Sequence, residues 1–441
     1  MARKTPVLPE SAVLDAWLRL AAGQPLFTEA GDPVRVIYPG RRNDDRGPDF
    51  RDAVIAHRRT LLRGDIEIHA RARDWRAHHH HLDPHYNRVV LHVVGRADRV
   101  TTRRQDGTAV PTLSLPLTDQ PAGKAGAVAA GIPCRNITRT VPRRRLQEAL
   151  ETAGDERFAA KAAAFRDSLR RLTPEQVLYV GILTALGYPK NKLPFRKLAH
   201  CLPLSRLESL LRPVRDPADF LACGQALLLG TAGLLPSLSA PDHADARRHR
   251  LEKEWLAFPA ETTVPAAEWN FFKLRPHNSP IRRLAGMSYL LLRYRETGIL
   301  EGLGTVLGTT GPPPLSAAME KALVVKGEGC GLPHCAASPS LIGRQRAREI
   351  VLNILLPFAA ASGFKGAALS LEHRAVDLYR SYPLPEKNSL ETHMLAQWHA
   401  GRDLIVTARQ QQGLLHIYRN RCARGDCRAC PLSGANAAAP G

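Results

Sequence analysis

One short segment constrains the fold of this chain more than any other: Gly64-Asp65-Ile66-Glu67-Ile68-His69, within the span from Gly47 to His92. Successive side chains of a β-strand point to opposite faces, so strict alternation places the two acids and the histidine on one face and the isoleucines on the other. The segment therefore predicts a strand with one apolar face against a core and one polar face suited to chemistry.

The surrounding sequence predicts one helix and a sheet of about six strands in the first ~115 residues. Ser11 to Ala22 has apolar residues at helical spacing and ends before Gly23, while Asp106-Gly107 has the composition of a hairpin turn. The strand patterns cover residues 34–38, 53–56, 61–69, 88–94, 99–104 and 110–115.

Helical patterns dominate the rest of the chain. The clearest are 143–172, 174–186, 280–294, 342–361 and 391–398. We therefore expect an α+β protein with an N-terminal mixed-sheet α/β domain at 1–135, a helical domain at 136–415 and a cysteine-rich tail at 416–441.

The chain is strongly basic, with a formal net charge of +21 over 441 residues. Lys and Arg exceed Asp and Glu by 21 to 15 up to residue 135, and by subtraction from the totals of 62 and 41 by 41 to 26 beyond it. Such a surface attracts polyanions, and nucleic acid is the expected partner. The alternative is an Ala- and Arg-rich composition without functional meaning.

No uninterrupted apolar run approaches the ~20 residues that span a bilayer, and the first residues, Met1 to Pro6, lack the pattern of a signal peptide. We expect a soluble cytoplasmic protein that does not bind a membrane.

Two acids in the opening span have the composition of a hydrolytic metal site. Asp49 and Glu67 are 18 residues apart and belong to neighbouring strand regions, and the backbone carbonyl of Ile68 would be an extra ligand. Carboxylate oxygens are the ligands that Mg²⁺ and Mn²⁺ prefer, and the metal would activate a water for phosphodiester hydrolysis. The alternative is a surface hairpin with a polar face.

Histidines provide a competing constellation between residues 69 and 92. His69, His78, His80, His81 and His92 could bind Zn²⁺, Mn²⁺ or Fe²⁺, because imidazole is a good ligand for these ions. A metal centre of histidines and carboxylates, acting on a small molecule, is therefore a second reading of the same span.

Three cysteines near the C-terminus, Cys422, Cys427 and Cys430, lie within nine residues. Arg421, Arg424 and Arg428 stand among them and favour the thiolate form that binds metals. The pattern predicts a structural metal, either Zn²⁺ or a [4Fe-4S] cluster, which needs a fourth ligand. The candidates for that ligand are Cys330, Cys335 and Cys134.

Pro48-Asp49 followed by Glu67-Ile68-His69 resembles the paired motifs of the PD-(D/E)XK nuclease superfamily, whose core is helix, three antiparallel strands, helix and strand. The resemblance implies that Asp49 and Glu67 bind Mg²⁺ or Mn²⁺ and that Glu10 corresponds to a supporting glutamate on the first helix. His69 stands where a lysine is usual. Because a neutral imidazole carries no constant charge, His69 would act as a base, a charge stabiliser or a ligand.

The order of motifs also resembles a bacterial family, that of domain of unknown function 2851. The matching residues are Gly47-Pro48-Asp49-Phe50, Gly64 to His69, Asp74-Trp75, Asp83 with Tyr86, Val90 to Val94, Arg275-Pro276, Asn353 and the terminal cysteines. This resemblance covers nearly the whole chain and implies no activity.

Together these patterns predict a metal-dependent nuclease-like enzyme with Asp49, Glu67 and His69 as its catalytic residues. Asp65 and His92 would be supporting groups or extra ligands, with His78 and His80 in a supporting loop. The alternatives are a non-catalytic nucleic-acid-binding or scaffold protein with a degenerate nuclease fold, and the histidine and carboxylate metallohydrolase.

Overall fold

The computed structural model describes residues 9–19, 26–98, 100–115, 134, 137–187, 190–235, 246–258, 261–272, 274, 278–312, 314–327, 340–361, 364 and 368–433. The chain forms two compact units. The first contains Met1–Gly154, Lys387–Val406 and Gln410–Gly441, and the second contains Asp155–Glu386 and Thr407–Arg409. The domain boundaries that the sequence indicates at residues 135 and 415 stay a prediction. In the structure, the terminal cysteines belong to the first unit.

The first unit is built on a mixed sheet. Its N-terminal elements are α1 (Glu10–Arg19), β1 (Leu26–Phe27), β2 (Pro33–Tyr38), β3 (Arg41–Arg42), β4 (Phe50–His57), β5 (Thr60–Arg71), α2 (Asp74–Ala77), β6 (Val89–Arg96), β7 (Thr102–Arg103), β8 (Ala109–Val110) and β9 (Thr112–Ser114). The sheet order is β1-β2-β4-β5-β6-β9, with β3 paired to β4, while β7 and β8 form a separate ribbon. Strands β2, β4 and β5 are antiparallel, whereas β6 is parallel to β5 and β9 is parallel to β6.

The alternation in β5 separates its two faces as predicted. Ile66 and Ile68 are fully buried in one apolar cluster with Val13 and Trp17 of α1. Helix α1 covers this face. Because side chains alternate along a strand, Glu67 and His69 lie on the other face, where the register pairs Glu67 with His92 of β6.

Two predicted strands are shorter than expected. The segment 99–104 contributes only Thr102–Arg103, and the segment 110–115 is divided into β8 and β9. Pro111 separates these two strands because it has no backbone N–H for a ladder, although its carbonyl accepts the N–H of His92 at 2.9 Å. The predicted turn at Asp106-Gly107 joins β7 to β8, whose pairing is antiparallel.

The second unit is helical and has its own core. Helices α3 (Ile137–Thr140) and α4 (Arg143–Leu169) precede its main body, and α4 has residues in both units. The further elements are α5 (Pro174–Leu186), α6 (Lys192–Cys201), α7 (Leu204–Leu211), α8 (Pro217–Thr231), α9 (Ala246–Ala257), α10 (Pro280–Arg293), α11 (Ile299–Gly308), α12 (Leu315–Leu323), β10 (Val325–Lys326), β11 (Ser340–Ile342), α13 (Arg344–Ile350), the π segment Val351–Leu355, α14 (Leu356–Ala359) and α15 (Ala368–Ser381). The π segment precedes Pro357, which lacks the N–H that continues an α-helical ladder.

A buried carboxylate organises polar groups inside the helical unit. Glu320 is 3% exposed and accepts hydrogen bonds from Arg344 at 2.6 Å, Arg348 at 2.8 Å and the Tyr382 hydroxyl at 3.0 Å. These bonds hold the Glu320 pKa below its usual value despite burial. The pairing compensates the desolvation of a charge that would otherwise be costly.

The C-terminal segments of the first unit contribute α16 (Ser389–Trp398) and α17 (Ala408–Asn420), which ends just before a 3-10 turn at Cys422–Arg424. Tyr418 donates its hydroxyl to Asp52 Oδ2 at 3.1 Å, and Arg63 donates to the carbonyl of Arg424 at 2.8 Å. These bonds attach the end of the described chain to β4 and β5. The structure as a whole is α+β, and none of its described helices has the length and apolar character that crossing a bilayer requires.

Candidate functional site

Asp49 and the strand segment that contains Glu67 are joined by two hydrogen bonds, each from a backbone N–H to a carboxylate. Asp49 lies just before β4 rather than at the end of a strand, and its backbone N–H donates to Glu67 Oε2 at 3.0 Å. In return, Asp49 Oδ2 accepts the backbone N–H of Ile68 at 3.1 Å. The N–H and C=O of one strand residue point to the same side of the strand. The Ile68 carbonyl therefore faces the side of β5 on which Asp49 lies.

The pKa values of both carboxyl groups are raised, so ionisation of each is less favourable than in water. Burial raises the Glu67 pKa well above its usual value, and the nearby charges of Asp49 and Glu10 raise it further. Burial also raises the pKa of Asp49, while its bond from Ile68 and the charge of Arg42 act against that shift. A cation between such groups would remove the repulsion and hold both in the ionised form.

Glu10 belongs to the same neighbourhood although it lies at the start of α1. Its pKa is raised by burial first and then by the charge of Asp49, and the charge of His78 lowers it. The start of α1 therefore lies near enough to Asp49 for the charge of Asp49 to act on Glu10.

Asp65 has a different position from Glu67. It is 5% exposed, and its Oδ1 accepts the backbone N–H of Asp52 at 3.1 Å. Asp52 has φ 61°, where the β4 and β5 register shifts, so the Asp65 side chain satisfies a donor that the bulge leaves without a ladder partner. Asp65 supports the backbone that follows Asp49.

A chain of hydrogen bonds crosses the polar face of the sheet. His69 Nδ1 shares a bond with His92 Nε2 at 2.8 Å, and His69 Nε2 shares one with His78 Nδ1 at 3.2 Å. His92 Nδ1 continues to Thr102 Oγ1 at 2.9 Å, which bonds Thr112 Oγ1 at 3.0 Å. The series connects exposed His78 to the buried side chains of His92, Thr102 and Thr112.

The buried imidazoles of this face are neutral. Burial, followed by the charges of neighbouring histidines, lowers the pKa of His69 to about 2 and that of His92 to about 3. A neutral imidazole can bind a metal or share a hydrogen bond, but it provides no fixed positive charge. A lowered pKa disfavours the role of charge stabiliser for His69, and the roles of base and ligand stay predictions.

His80 faces Glu67 without bonding to it. Its Nε2 lies 3.2 Å from Glu67 Oε1, yet this buried nitrogen has no hydrogen-bond partner among the described residues. The ring stacks on Tyr86 at a centroid distance of 3.9 Å, which fixes its orientation. His80 Nε2 and Glu67 Oε1 thus lie close enough together for both to bind one cation.

Two overlapping donor sets could hold a metal ion. The first is Asp49 with Glu67. The second is His69, His78 and His80, whose ligand atoms all lie within 4.8 Å of one another and whose neighbour is Glu67. Oxygen donors suit Mg²⁺ and Mn²⁺, whereas imidazole suits Mn²⁺ less well than Zn²⁺ or Fe²⁺. Both sets fit a divalent cation.

Arginines surround the mouth of this site. Arg42 acts electrostatically on Asp49, and Arg51 donates to the carbonyl of Arg46 at 2.9 Å. The Arg88 side chain is 67% exposed and lies 3.8 Å from Asp65. Positive side chains next to buried acids can bind the phosphates of a polyanion while leaving the acids to bind a cation.

The terminal cysteines meet a fourth cysteine from another part of the chain. Cys134, Cys422, Cys427 and Cys430 line one cavity. The other two candidates for the fourth ligand, Cys330 and Cys335, lie outside the described residues. Burial raises the pKa of Cys430 to about 11, while the charge of Arg421 acts in the opposite direction. The thiolate form of these cysteines stays a prediction.

Sequence reasoning missed several contributors. Thr102 and Thr112 complete the hydrogen-bond series from His92, and Gln397 donates to Cys134 Sγ at 3.2 Å. Thr102 and Thr112 belong to short strands whose pairing depends on the ribbon and on β9. A threonine at strand positions carries no chemical signal by itself, so only the tertiary arrangement identifies these groups.

Comparison with known proteins yields one match. No curated protein and no solved structure is significantly similar to the chain. A family model described as "Protein of unknown function (DUF2851)" matches residues 12–301, a range that includes the acidic pair and the histidines but not the terminal cysteines. Because this match covers more than half of the 441 residues, the chain belongs to the DUF2851 family.

Proposed function

We propose that the protein is a metal-dependent nuclease-like enzyme that hydrolyses phosphodiester bonds in nucleic acid, with Asp49 and Glu67 as ligands of Mg²⁺ or Mn²⁺. The reciprocal bonds between these two residues carry the proposal, because each carboxylate is oriented by the backbone of the other segment. One oxygen of each acid remains for a cation, and the Ile68 carbonyl faces the same edge.

The electrostatics of the pair support a bound cation. Burial and the charge of Asp49 together oppose ionisation of Glu67, and a divalent ion would reverse that balance. When bound, the metal would neutralise charge on the scissile phosphate and acidify the attacking water. The residues of this chain would orient the metal and exclude bulk water through Trp75 and Tyr86, which pack edge-to-face beside the histidines.

The topology around the pair is consistent with the nuclease resemblance. With the two-residue strands β1 and β3 left aside, a helix, three antiparallel strands, a short helix and a parallel strand follow one another as α1, β2, β4, β5, α2 and β6. Asp49 lies at the beginning of the second strand of this series and Glu67 within the third. This arrangement agrees with the core that the superfamily resemblance implies, although α2 has only four residues.

The arginines at the mouth favour a polyanionic substrate. Arg46 and Arg88 are more than half exposed while pairing with Asp83 and Asp52, so their guanidinium groups remain accessible to phosphates. Exposed pairs of this kind contribute little to stability and are easily exchanged for another anion. The overall charge of +21 would add a long-range attraction for nucleic acid.

The test is cleavage of supercoiled plasmid, single-stranded DNA and RNA by the purified full chain with Mg²⁺ or Mn²⁺. We expect cleavage that Asp49→Ala and Glu67→Ala each reduce by at least 100-fold. Glu148→Gln, which changes an exposed acid of α4 in the same unit, is the matched control and should cleave like the unmodified chain. Salt-sensitive binding without cleavage under every metal would instead identify a non-catalytic nucleic-acid-binding protein.

A metallohydrolase centred on the histidines is the second candidate. The distance of 3.2 Å between His80 Nε2 and Glu67 Oε1 favours it, since imidazole and carboxylate together suit Zn²⁺, Mn²⁺ or Fe²⁺. The two candidates differ in metal preference and in the residues required. Activity with Zn²⁺ or Fe²⁺ on small phosphoesters, abolished by His80→Ala but retained by Asp49→Ala, would favour the histidine centre.

A further inference from the structure

Four cysteines from two distant parts of the sequence converge in the first unit. Cys134 stands before α3, whereas Cys422, Cys427 and Cys430 follow α17. Together they line a small cavity of about 20 Å³. None of the described cysteines forms a disulfide.

The C-terminal sulfurs are placed by a sequence of tight turns. The Cys422–Arg424 3-10 turn ends at Gly425, whose φ of 64° favours glycine. The backbone N–H of Cys430 then donates to the Cys427 carbonyl at 3.3 Å. These turns direct three sulfurs toward one cavity within nine residues, which is the compact spacing of a metal-binding loop.

Buried donors around the cavity lack a complete set of acceptors. Gln397 donates to Cys134 Sγ at 3.2 Å. The Trp398 indole lies beside Cys134 and acts on its thiol as a hydrogen-bond donor. The Ser433 hydroxyl, which lines the cavity, is buried without a hydrogen-bond partner among the described residues. Buried polar groups are almost always satisfied, so the Ser433 hydroxyl indicates a group that the cavity would hold.

Four thiolates suit either a zinc ion or a [4Fe-4S] cluster. Cys430 is followed by Pro431, as the last cysteine is in cluster-binding sequences of the bacterial type. This sequence context favours the cluster, and metal content distinguishes the two.

We infer that Cys134, Cys422, Cys427 and Cys430 bind an iron–sulfur cluster of the [4Fe-4S] type, with Cys134 as the fourth ligand. Deprotonated cysteines would supply one thiolate to each iron, and the Ser433 hydroxyl and Trp398 indole would bond to thiolate or sulfide sulfur. The inference is independent of the proposed nuclease activity, since it concerns residues of a separate cavity and is read by metal content.

The cluster would attach the end of the chain to the strands that carry the acidic pair. Gly425 lies so close to β4 that an added Cβ would be 2.8 Å from Val54 Cγ1. Arg424 accepts from Arg63 of β5, and Tyr418 bonds Asp52 three residues after Asp49. A ligand fixing the cysteine turns would thus stabilise the bulged part of β4 as well.

The test is anaerobic purification of the full chain, followed by iron, acid-labile sulfide and zinc analysis and a visible absorption spectrum. We expect about four irons and four sulfides per chain and a broad band at the blue end of the visible range. One zinc without iron, or a chain that cannot be reconstituted with iron and sulfide, would overturn the inference.

Variants assign the ligands. Cys134→Ser should lose most of the iron and the visible band, while Cys223→Ala, which changes a buried cysteine of α8, should retain both. If Cys134→Ser does not fold, Cys427→Ser at a half-buried position provides the same readout. Full iron content in the soluble Cys134→Ser or Cys427→Ser protein would contradict the four-cysteine assignment.

Discussion

The side chain of Asp65 accepts the backbone N–H of Asp52 at the bulge of β4, at 3.1 Å. Asp52 has φ 61°, a left-handed conformation that few residues other than glycine, asparagine and aspartate adopt easily. This bond therefore stabilises a strained backbone position three residues after Asp49. The polar face of the sheet depends on such support as much as on the groups that would perform chemistry.

Asp65→Ala should destabilise the first unit by about 1 kcal/mol, because it removes the acceptor of a part-buried N–H. Asp65→Asn should cost less, since its amide oxygen can still accept that bond. Urea unfolding followed by circular dichroism measures both. Equal losses for the two variants would show that the Asp52 bond does not contribute.

Gly64→Ala should destabilise the pairing of β5 with β6. A Cβ at Gly64 would lie 2.2 Å from the Arg88 carbonyl oxygen and 2.5 Å from Val90 Cγ1, so backbone must move to accept it. We expect a loss of about 2–3 kcal/mol, the cost of overpacking. Gly308→Ala is the control, because its Cβ would make only ordinary contact with Leu371, and thermal unfolding of both proteins provides the comparison.

His92→Ala should weaken metal binding without removing a carboxylate ligand. His92 is fully buried, and its bonds to His69 and Thr102 orient the His69 ring. We expect 10–100-fold lower Mn²⁺ affinity by calorimetric titration, the usual effect of losing a group that orients a ligand, with a stability loss of about 3 kcal/mol. His92→Gln, which can keep one of the bonds, should recover part of both; unchanged Mn²⁺ affinity in His92→Ala would contradict the positioning role.

His393 should make stability depend on acidity. Burial lowers the pKa of His393 from 6.5 to about 4, and its Nε2 lies 2.5 Å from the Tyr38 hydroxyl. Between these values the unfolded chain binds more protons than the folded one, so the His393 contribution is present above pH 6.5 and is lost as the pH falls toward 4.

Comparison with His393→Gln separates the His393 contribution from that of the carboxylates. The fold raises the pKa of several carboxyl groups, whereas it lowers the pKa of His393. We expect the stability advantage of the unmodified chain over His393→Gln to shrink steadily between pH 6.5 and 4 in urea unfolding series. A difference that stays constant over this range would show that His393 is not held neutral by the fold.

The sequence determined the strand that carries the site. The alternation from Gly64 to His69 fixed which side chains share a face, because a strand has a period of two wherever it is placed. It also placed the acids, the histidines and the terminal cysteines among the candidates, since their chemistry is visible from residue type. The limits of β5 and of the helix at Pro174–Leu186 agree closely with the patterns for the same reason.

Only the tertiary structure decided which of these groups meet. Cys134 joins cysteines almost three hundred residues later because the C-terminal segments pack on the sheet unit, and nothing in its own surroundings marks it. Likewise the contact of His80 with Glu67, and the series from His69 to Thr112, depend on a loop and a strand folding over one face. Local periodicity determines the direction of a side chain, whereas the partner it finds depends on long-range packing that periodicity does not encode.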